Sequence, residues 1–360
     1  MKKSNFKFKK GLNKTEFKSY CLDGISEGCK RCIEGKKLVL FITGKCSTNC
    51  AYCPLSHLRK NSENIWANET KCTSIKEVIK EAEESNATGA GITGGDPLLV
   101  LNKTLRYAKA LKQKFGNSFH IHIYLSTKLV DEQKLKKLSK CIDEVRFHPF
   151  YLENPEKHPE DIEKISKAKD YFNKKSIGVE IPIFPDKEKE TIQFLKKVSP
   201  FVSFVNLNEL EMGESNLGHI TKNYSLDKSG YTIKNSIKSG LKIIKALEKN
   251  KPKLKIHLCT AETKNWYQYK NRLLQHKILP YGKLIEDGTV IYVSILKEKN
   301  AGFDRLRKSI PKSEAYYDKE KNRLILNEKY IRKYLPNFTI TKTEEFPTSD
   351  RIEVVAEDIN

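Results

Sequence analysis

The sequence predicts an α/β protein built around an open or incomplete (β/α) barrel. From Lys37 to Pro280, short apolar runs alternate with longer amphipathic ones, as when parallel strands are joined by crossover helices. After Pro280 the texture changes to short β-like runs separated by turn residues. At 360 residues the chain is long enough for one large domain with small appendages.

Met1 to Lys36 shows no convincing periodicity but holds Cys21, Cys29 and Cys32 among glycines, so it reads as a small knuckle tied by metal rather than by a core. The barrel, residues 37–280, should use strands at Lys37–Thr43, Thr88–Thr93, His120–Ser126, Glu144–His148, Ser176–Ile183, Phe201–Asn208 and Lys253–Leu258. Helical patterns lie between them at Ser74–Ser85, Leu101–Phe115, Asp131–Cys141, Pro159–Asn173, Lys187–Lys197 and Tyr231–Asn250, with a last one at Lys264–Lys277. Six or more successive units fit a partial (β/α)6-type barrel, and its chemistry should gather at the carboxyl ends of the strands. Residues 281–360 form a small α+β appendage with strands at Thr289–Leu296, Arg323–Leu326, Phe338–Lys342 and Arg351–Val355.

Six of the nine cysteines fall between Cys21 and Cys53, and such clustering in a large chain reads as metal ligation. Cys46, Cys50 and Cys53 stand in the loop after the first strand with spacing Cys-x3-Cys-x2-Cys. Iron–sulfur clusters are held by Cys thiolates, commonly four, so three on a four-iron cluster leave one iron open to an external ligand. Directly after the second strand comes Gly94-Gly95-Asp96-Pro97, where glycine permits close backbone approach and proline fixes the turn.

This pairing, the Cys triplet after strand one and Gly-Gly-Asp-Pro after strand two, resembles the radical S-adenosylmethionine (SAM) superfamily over roughly Lys37 to Pro280. The whole-chain texture looks most like archaeal radical SAM proteins of undefined substrate, related to pyruvate-formate-lyase-activating and molybdenum-cofactor-type enzymes. The resemblance implies that the open iron of a 4Fe-4S cluster chelates SAM, that an electron from a reductant such as ferredoxin or flavodoxin cleaves it to a 5'-deoxyadenosyl radical, and that this radical takes hydrogen from substrate. It further implies that Gly94, Gly95, Asp96 and Pro97 hold the SAM amino group and that Tyr52 packs near the adenine. Ser126, His148 and Glu180 are then favoured for the ribose and methionine parts. Thr127, Asn206, Asn208 and Glu209 are further candidates by their places at strand ends.

Cys21, Cys29 and Cys32 need a fourth ligand to close a tetrahedral site, and Cys259, two residues after His257, is the candidate. Zinc or an auxiliary iron–sulfur cluster would fit, and buried apolar thiols are the alternative. Cys72 and Cys141, each isolated among helix-like residues, are read as structural. Lys264, Gln268 and Arg272 share one face by their four-residue spacing, as a phosphate or carboxylate contact or as a solvated face.

The net charge of +22 points to a polyanionic partner such as RNA, or to a lysine-rich solvated surface. No apolar run is long enough to span a bilayer and no apolar segment follows the basic amino terminus, so the expected location is cytoplasmic, without membrane. Three functions remain: a radical SAM enzyme acting on RNA, one acting on a protein or peptide, as activases that install a glycyl radical do, or on a small metabolite, and a non-catalytic, metal-stapled RNA-binding protein.

Overall fold

The computed structural model describes Phe6 and residues 8–249 and 254–359. Residues 1–5 and Lys7 of the basic Met1–Lys10 stretch, and positions Asn250 and Lys253 at the ends of an expected helix and strand, lie outside the described residues. The chain divides into two compact units, residues 1–83 with 87–269, and residues 84–86 with 270–360.

The first unit runs β1 (Leu12–Lys14), β2 (Tyr20–Leu22), α1 (Glu27–Ile33), β3 (Lys37–Phe41), β4 (Ile65–Ala67), β5 (Thr70–Cys72), α2 (Ile75–Glu84), β6 (Gly89–Thr93) and α3 (Leu101–Phe115). It continues through β7 (His120–Ser126), α4 (Glu132–Leu138), β8 (Glu144–His148), α5 (His158–Lys167), β9 (Ile177–Ile183), α6 (Glu188–Val198), β10 (Phe204–Glu209), α7 (Leu217–Asn223), α8 (Ser236–Glu248) and β11 (Lys255–Cys259). One sheet joins its strands in the order β1-β2-β11-β10-β9-β8-β7-β6-β3-β4-β5. The strands from β3 and β6 to β11 are all parallel to their neighbours in this series, which is the partial (β/α) barrel. All seven expected barrel strands are present, and the series is one strand longer than a six-unit barrel.

Strand alternation decides what each face does. Leu38, Leu40, Ile92, Ile121, Ile123, Val145, Phe147, Val179, Ile181, Val205, Leu207, Ile256 and Leu258 are buried and form the core with the helices. The intervening positions, including Lys37, Tyr124, Arg146, Glu180, Asn206 and His257, line an internal cavity. With a side-chain period of two, each strand thus sends apolar residues outward and polar ones into the lumen.

The amino-terminal segment differs from the expected knuckle. Phe17, Cys21, Ile25, Cys29 and Ile33 form a small core of their own, and β2 pairs antiparallel with β11, with Cys21 opposite His257. Apolar residues at irregular spacing carry no period, so neither the short strands nor this core shows in the sequence. The hairpin β4–β5 was also missed, and it places Cys72 on a strand. The expected helix at Tyr231 begins only at Ser236, because Thr232 and Ile233 make bridge pairs with Glu211 and Leu226. Thr263–Tyr269 is π-helical, so the four-residue spacing of Lys264 and Gln268 does not continue as one α-helical face.

The second unit contains α9 (Lys270–Gln275), β12 (Lys283–Leu284), β13 (Val290–Leu296), α10 (Phe303–Ser309), β14 (Ala315–Asp318), β15 (Arg323–Leu326), α11 (Ile331–Tyr334), β16 (Ile340–Glu345) and β17 (Glu353–Asp358). It therefore begins before the expected boundary at 281, since α9 groups with the sheet that follows it. Its antiparallel sheet, ordered β14-β15-β13-β16-β17 with β12 on β13, buries an ion cluster: Arg323 donates to Asp318 at 2.9 Å and to Glu345 at 2.8 Å beneath the Tyr292 ring. Removing one member of a buried pair strands the other charge. Arg323→Leu is expected to destabilise this unit by ~3–5 kcal/mol, seen as faster hydrogen exchange at β13 and β16 amides; unchanged exchange there would contradict it.

Candidate active site

One cavity of about 530 Å³ lies within the first unit. Cys46, Cys50 and Cys53 line it from the loop that follows β3. Backbone contacts close this loop on itself: Gly44 N–H donates to Ser62 O at 2.7 Å, Asn61 N–H to Gly44 O at 3.0 Å, and a Cβ on Gly44 would meet Arg59 O at 1.8 Å. The Thr48 hydroxyl lies 3.2 Å from Cys46 Sγ and 3.4 Å from Cys50 Sγ, so the two thiols flank one oxygen. All three cysteines are free, and burial pushes the Cys50 thiol pKa up.

Among the described residues, no three His, Cys, Asp or Glu side chains converge closely enough to hold one metal ion. A four-iron cluster asks for something different, because each of its thiolates binds a separate iron and the sulfurs stand further apart. Three free thiols in one loop on one cavity, two of them astride a single hydroxyl, fit that group as a donor set.

The Gly94-Gly95-Asp96-Pro97 turn packs directly on the Cys loop. Gly95 N–H donates to Thr43 O at 2.7 Å and Asp96 N–H to Lys45 O at 2.8 Å. Gly94 has φ +146°, and Cβ atoms on Gly94 and Gly95 would stand 2.3 Å from Thr43 O and 2.1 Å from Lys45 O. Only glycine allows both approaches. Gly94 and Gly95 line the cavity, whereas Asp96 and Pro97 do not. Asp96 is instead buried as a brace: it accepts from Ser47 Oγ in the Cys loop and from Leu98 N–H at 2.9 Å, and burial raises its pKa against these bonds. Pro97 O accepts from Thr104 Oγ1 at 2.9 Å.

Tyr52, Ser126, His148 and Glu180 all line the cavity. His148 Nδ1 lies 3.2 Å from Glu180 O, a carbonyl that can only accept, so Nδ1 carries the proton and Nε2 accepts from Tyr52 Oη at 2.7 Å. Burial lowers the His148 pKa and keeps the ring neutral in that tautomer. The Tyr52 ring also meets Phe184 edge-on at 5.0 Å, and its carbonyl accepts from Asn216 at 2.9 Å. Ser126 Oγ accepts from Lys128 N–H at 3.3 Å.

Deeper in the lumen, Glu180 belongs to a network that the sequence reading largely missed. Arg146 donates to Glu144 at 2.7 Å, Ser26 at 2.9 Å, Glu180 at 3.0 Å and Tyr124 Oη at 3.3 Å. Asn206 and Asn208 donate to the two Glu180 oxygens at 3.0 and 2.9 Å. Burial works against charge on both partners, but Arg146 and the two amides hold the Glu180 pKa below the usual carboxylate range. The available signal was the polar residue at every second strand position, as in Glu-Val-Arg-Phe-His at 144–148.

Cys29, Cys32 and Cys259 line the same cavity, but Cys21 does not. Cys21 is fully buried in the small amino-terminal core, where burial pushes its thiol pKa to about 11. Cys29 lies among donors: burial would raise its pKa, but Arg146 and His257 bring it down to about 6. Burial pushes the Cys259 thiol up, and Cys29 and Cys32 lie near enough to push it further. Lys264 and Gln268 also reach the cavity; Lys264 pairs with Glu211 and Gln268 Nε2 lies 3.4 Å from Cys259 Sγ. Asn206, Asn208 and Glu209 line it as well, while Thr127 is buried against Asp161.

Comparison with known proteins bears on this geometry. The family described as the radical SAM superfamily matches residues 40–198. A Methanocaldococcus jannaschii protein, provisionally named a glycyl-radical enzyme activating enzyme, is 34% identical over 363 residues, covering 95% of this chain and 96% of its own. Among solved structures, the FeFe-hydrogenase maturase HydG from Carboxydothermus hydrogenoformans aligns with 60% of this chain and 55% of its own at 17% identity and TM-score 0.40. The structure of anSMEcpe with bound AdoMet aligns with 61% and 60% at 16% identity and TM-score 0.37. The chain spans a little over half the length of these two structures.

Because Gly95 abuts a backbone oxygen, Gly95→Ala must displace the Cys loop. Amide exchange at Gly95 and Asp96 is expected to accelerate about tenfold or more, equivalent to at least ~1.4 kcal/mol; protection equal to that of the parent protein would refute the packing.

Proposed function

The chain belongs to the radical SAM superfamily, and from that premise we propose that it cleaves SAM reductively at a four-iron cluster on Cys46, Cys50 and Cys53 and acts on a protein substrate. The observation that carries the proposal is the shared cavity: three thiols and a glycine turn, from two successive strand ends, packed backbone to backbone. A cluster bound there supplies an open iron for SAM and the electron that breaks its sulfonium bond, with ferredoxin or flavodoxin as the class of reductant.

The chain's own residues position and shield. Gly94 and Gly95 bare the backbone at the cavity wall beside the cluster loop, where an amino group can be accepted by carbonyl oxygens. Asp96 ties that turn to Ser47, so the two loops move as one. Tyr52 and neutral His148 lock one another, presenting an aromatic wall without a mobile proton; Ser126 and Glu180 face the same space. Buried apolar residues behind the strands keep water from reaching the site through the sheet.

Two facts favour a protein substrate over RNA. The Methanocaldococcus jannaschii relative, alike over nearly its full length, is named for activating glycyl-radical enzymes. Several lysines also pair with neighbouring acids, as in Lys157 and Lys164 with Glu160, or Lys167 with Glu163, which suits a solvated surface better than a phosphate track. Family membership removes the non-catalytic alternative. Among the described residues no helix is long and apolar enough to cross a membrane. The reading also includes a second metal, zinc or iron–sulfur, on the remaining lumen thiols.

After anaerobic reconstitution and reduction, the protein is expected to release 5'-deoxyadenosine from SAM and Cys50→Ala to release none; cleavage by that variant would end the assignment. For substrate class, protein and RNA fractions from cells grown in deuterium oxide would be incubated separately with enzyme and SAM. Deuterium in 5'-deoxyadenosine is expected from the protein fraction, and transfer from the RNA fraction alone would overturn the protein reading.

A further inference from the structure

The lumen holds a second set of thiols that SAM binding does not use. Cys29 and Cys32 enter from α1, Cys259 from the end of β11, and all three are free and border the cavity. Cys259 is far from the other two in sequence, and they reach one cavity because α1 packs against β3, β6, β7 and the Thr263–Tyr269 segment that follows β11. Cys29-x2-Cys32 repeats the step of Cys50-x2-Cys53.

His257 provides an independent observation. It also lines the cavity, is 1% exposed, and its Nε2 lies 2.9 Å from Ser19 Oγ. Its Nδ1 is buried without a hydrogen bond of regular geometry, and the ring lies beside the Cys29 thiol, whose pKa it lowers. In the tautomer that donates from Nε2 to the Ser19 hydroxyl, Nδ1 keeps a bare lone pair, which is how metal-ligating histidines are commonly oriented.

The donors do not converge on one point, and among the described residues no three such groups could hold a single ion. That disfavours mononuclear zinc, whose ligands stand at about 2.0–2.3 Å from one centre. A polynuclear centre spreads its ligands over several irons, and imidazole can replace thiolate on one of them. Cys29 Sγ further accepts from Asn206 Nδ2 at 3.2 Å and Arg146 Nη2 at 3.5 Å, the kind of N–H contact that tunes a ligating sulfur.

We infer that a second iron–sulfur cluster occupies the inner lumen, bound by Cys29, Cys32 and Cys259 with His257 Nδ1 as fourth ligand. This rests on the reading of a second metal and is independent of SAM cleavage. Cys21, outside the cavity, takes no part, and the cluster faces the same space as the SAM site.

The test uses full-length protein purified and reconstituted anaerobically, with iron and acid-labile sulfide counted per chain and the clusters followed by Mössbauer and EPR spectroscopy. In the Cys46→Ala/Cys50→Ala/Cys53→Ala variant a chelator-resistant cluster is expected to remain, with an EPR signal that SAM does not alter. Cys29→Ala/Cys32→Ala/Cys259→Ala is expected to lose that cluster while keeping the SAM-responsive signal, and Cys21→Ser to lose no iron. His257→Cys keeps the cluster and lowers its reduction potential, since thiolate replaces neutral imidazole. A first variant without chelator-resistant iron, zinc in place of iron in protein as isolated, or a potential untouched by His257→Cys would overturn the inference. If wild-type protein failed to cleave SAM while the first variant still held a cluster, the proposed SAM reaction would fail and this site would stand.

Discussion

The guanidinium of Arg146 organises the barrel interior. A cation buried that deeply survives only if its N–H donors all meet acceptors and its charge meets anions. Glu144, Glu180, Tyr124, Ser26 and Cys29 meet that demand from β7, β8, β9 and α1, and Asn206 and Asn208 on β10 complete Glu180. Burial would discharge Arg146, yet Cys29 and the surrounding acids hold it firmly protonated. One charge therefore sets the register in which helix α1 and several strands can coexist.

The loops at the other end of the strands follow a different rule. The Cys loop and the Gly-Gly turn are joined mainly by backbone groups, with Gly44, Gly94 and Gly95 each excluding a Cβ by direct contact with a carbonyl. Side chains and backbone there face the cavity: thiols on one side, bare glycine backbone on the other. A rigid frame with exposed chemistry is what a reactive intermediate requires, since misplacement by an ångström admits side reactions.

Much of this was legible in the sequence, for reasons that differ by element. The barrel strands could be read because each is a short run bounded by amphipathic helix, and His120–Ser126 and Glu144–His148 match to the residue. Cys46, Cys50, Cys53 and the Gly-Gly turn could be read because spacing and strand-end placement are local properties. The amino-terminal segment could not, because its strands are three residues each and its core comes from tertiary contact. Arg146, at mid-strand, and Lys37, at the amino end of β3, were missed although the strands were found, since attention to carboxyl ends passes over both. Asp96 and Pro97 were placed correctly as a turn, but the Asp96 side chain turns toward Ser47 and away from the cavity.

Gly28, on the first turn of α1, has a consequence for traffic. A Cβ there would stand 2.5 Å from His122 Nδ1 and 2.6 Å from Arg146 Nη2, so the helix lies hard against polar side chains of β7 and β8. Such close seating stoppers the vessel at its base. Guests must then arrive and depart by the rim where the cysteine loop lies, and whatever settles at the bottom has to be loaded first and unloaded last.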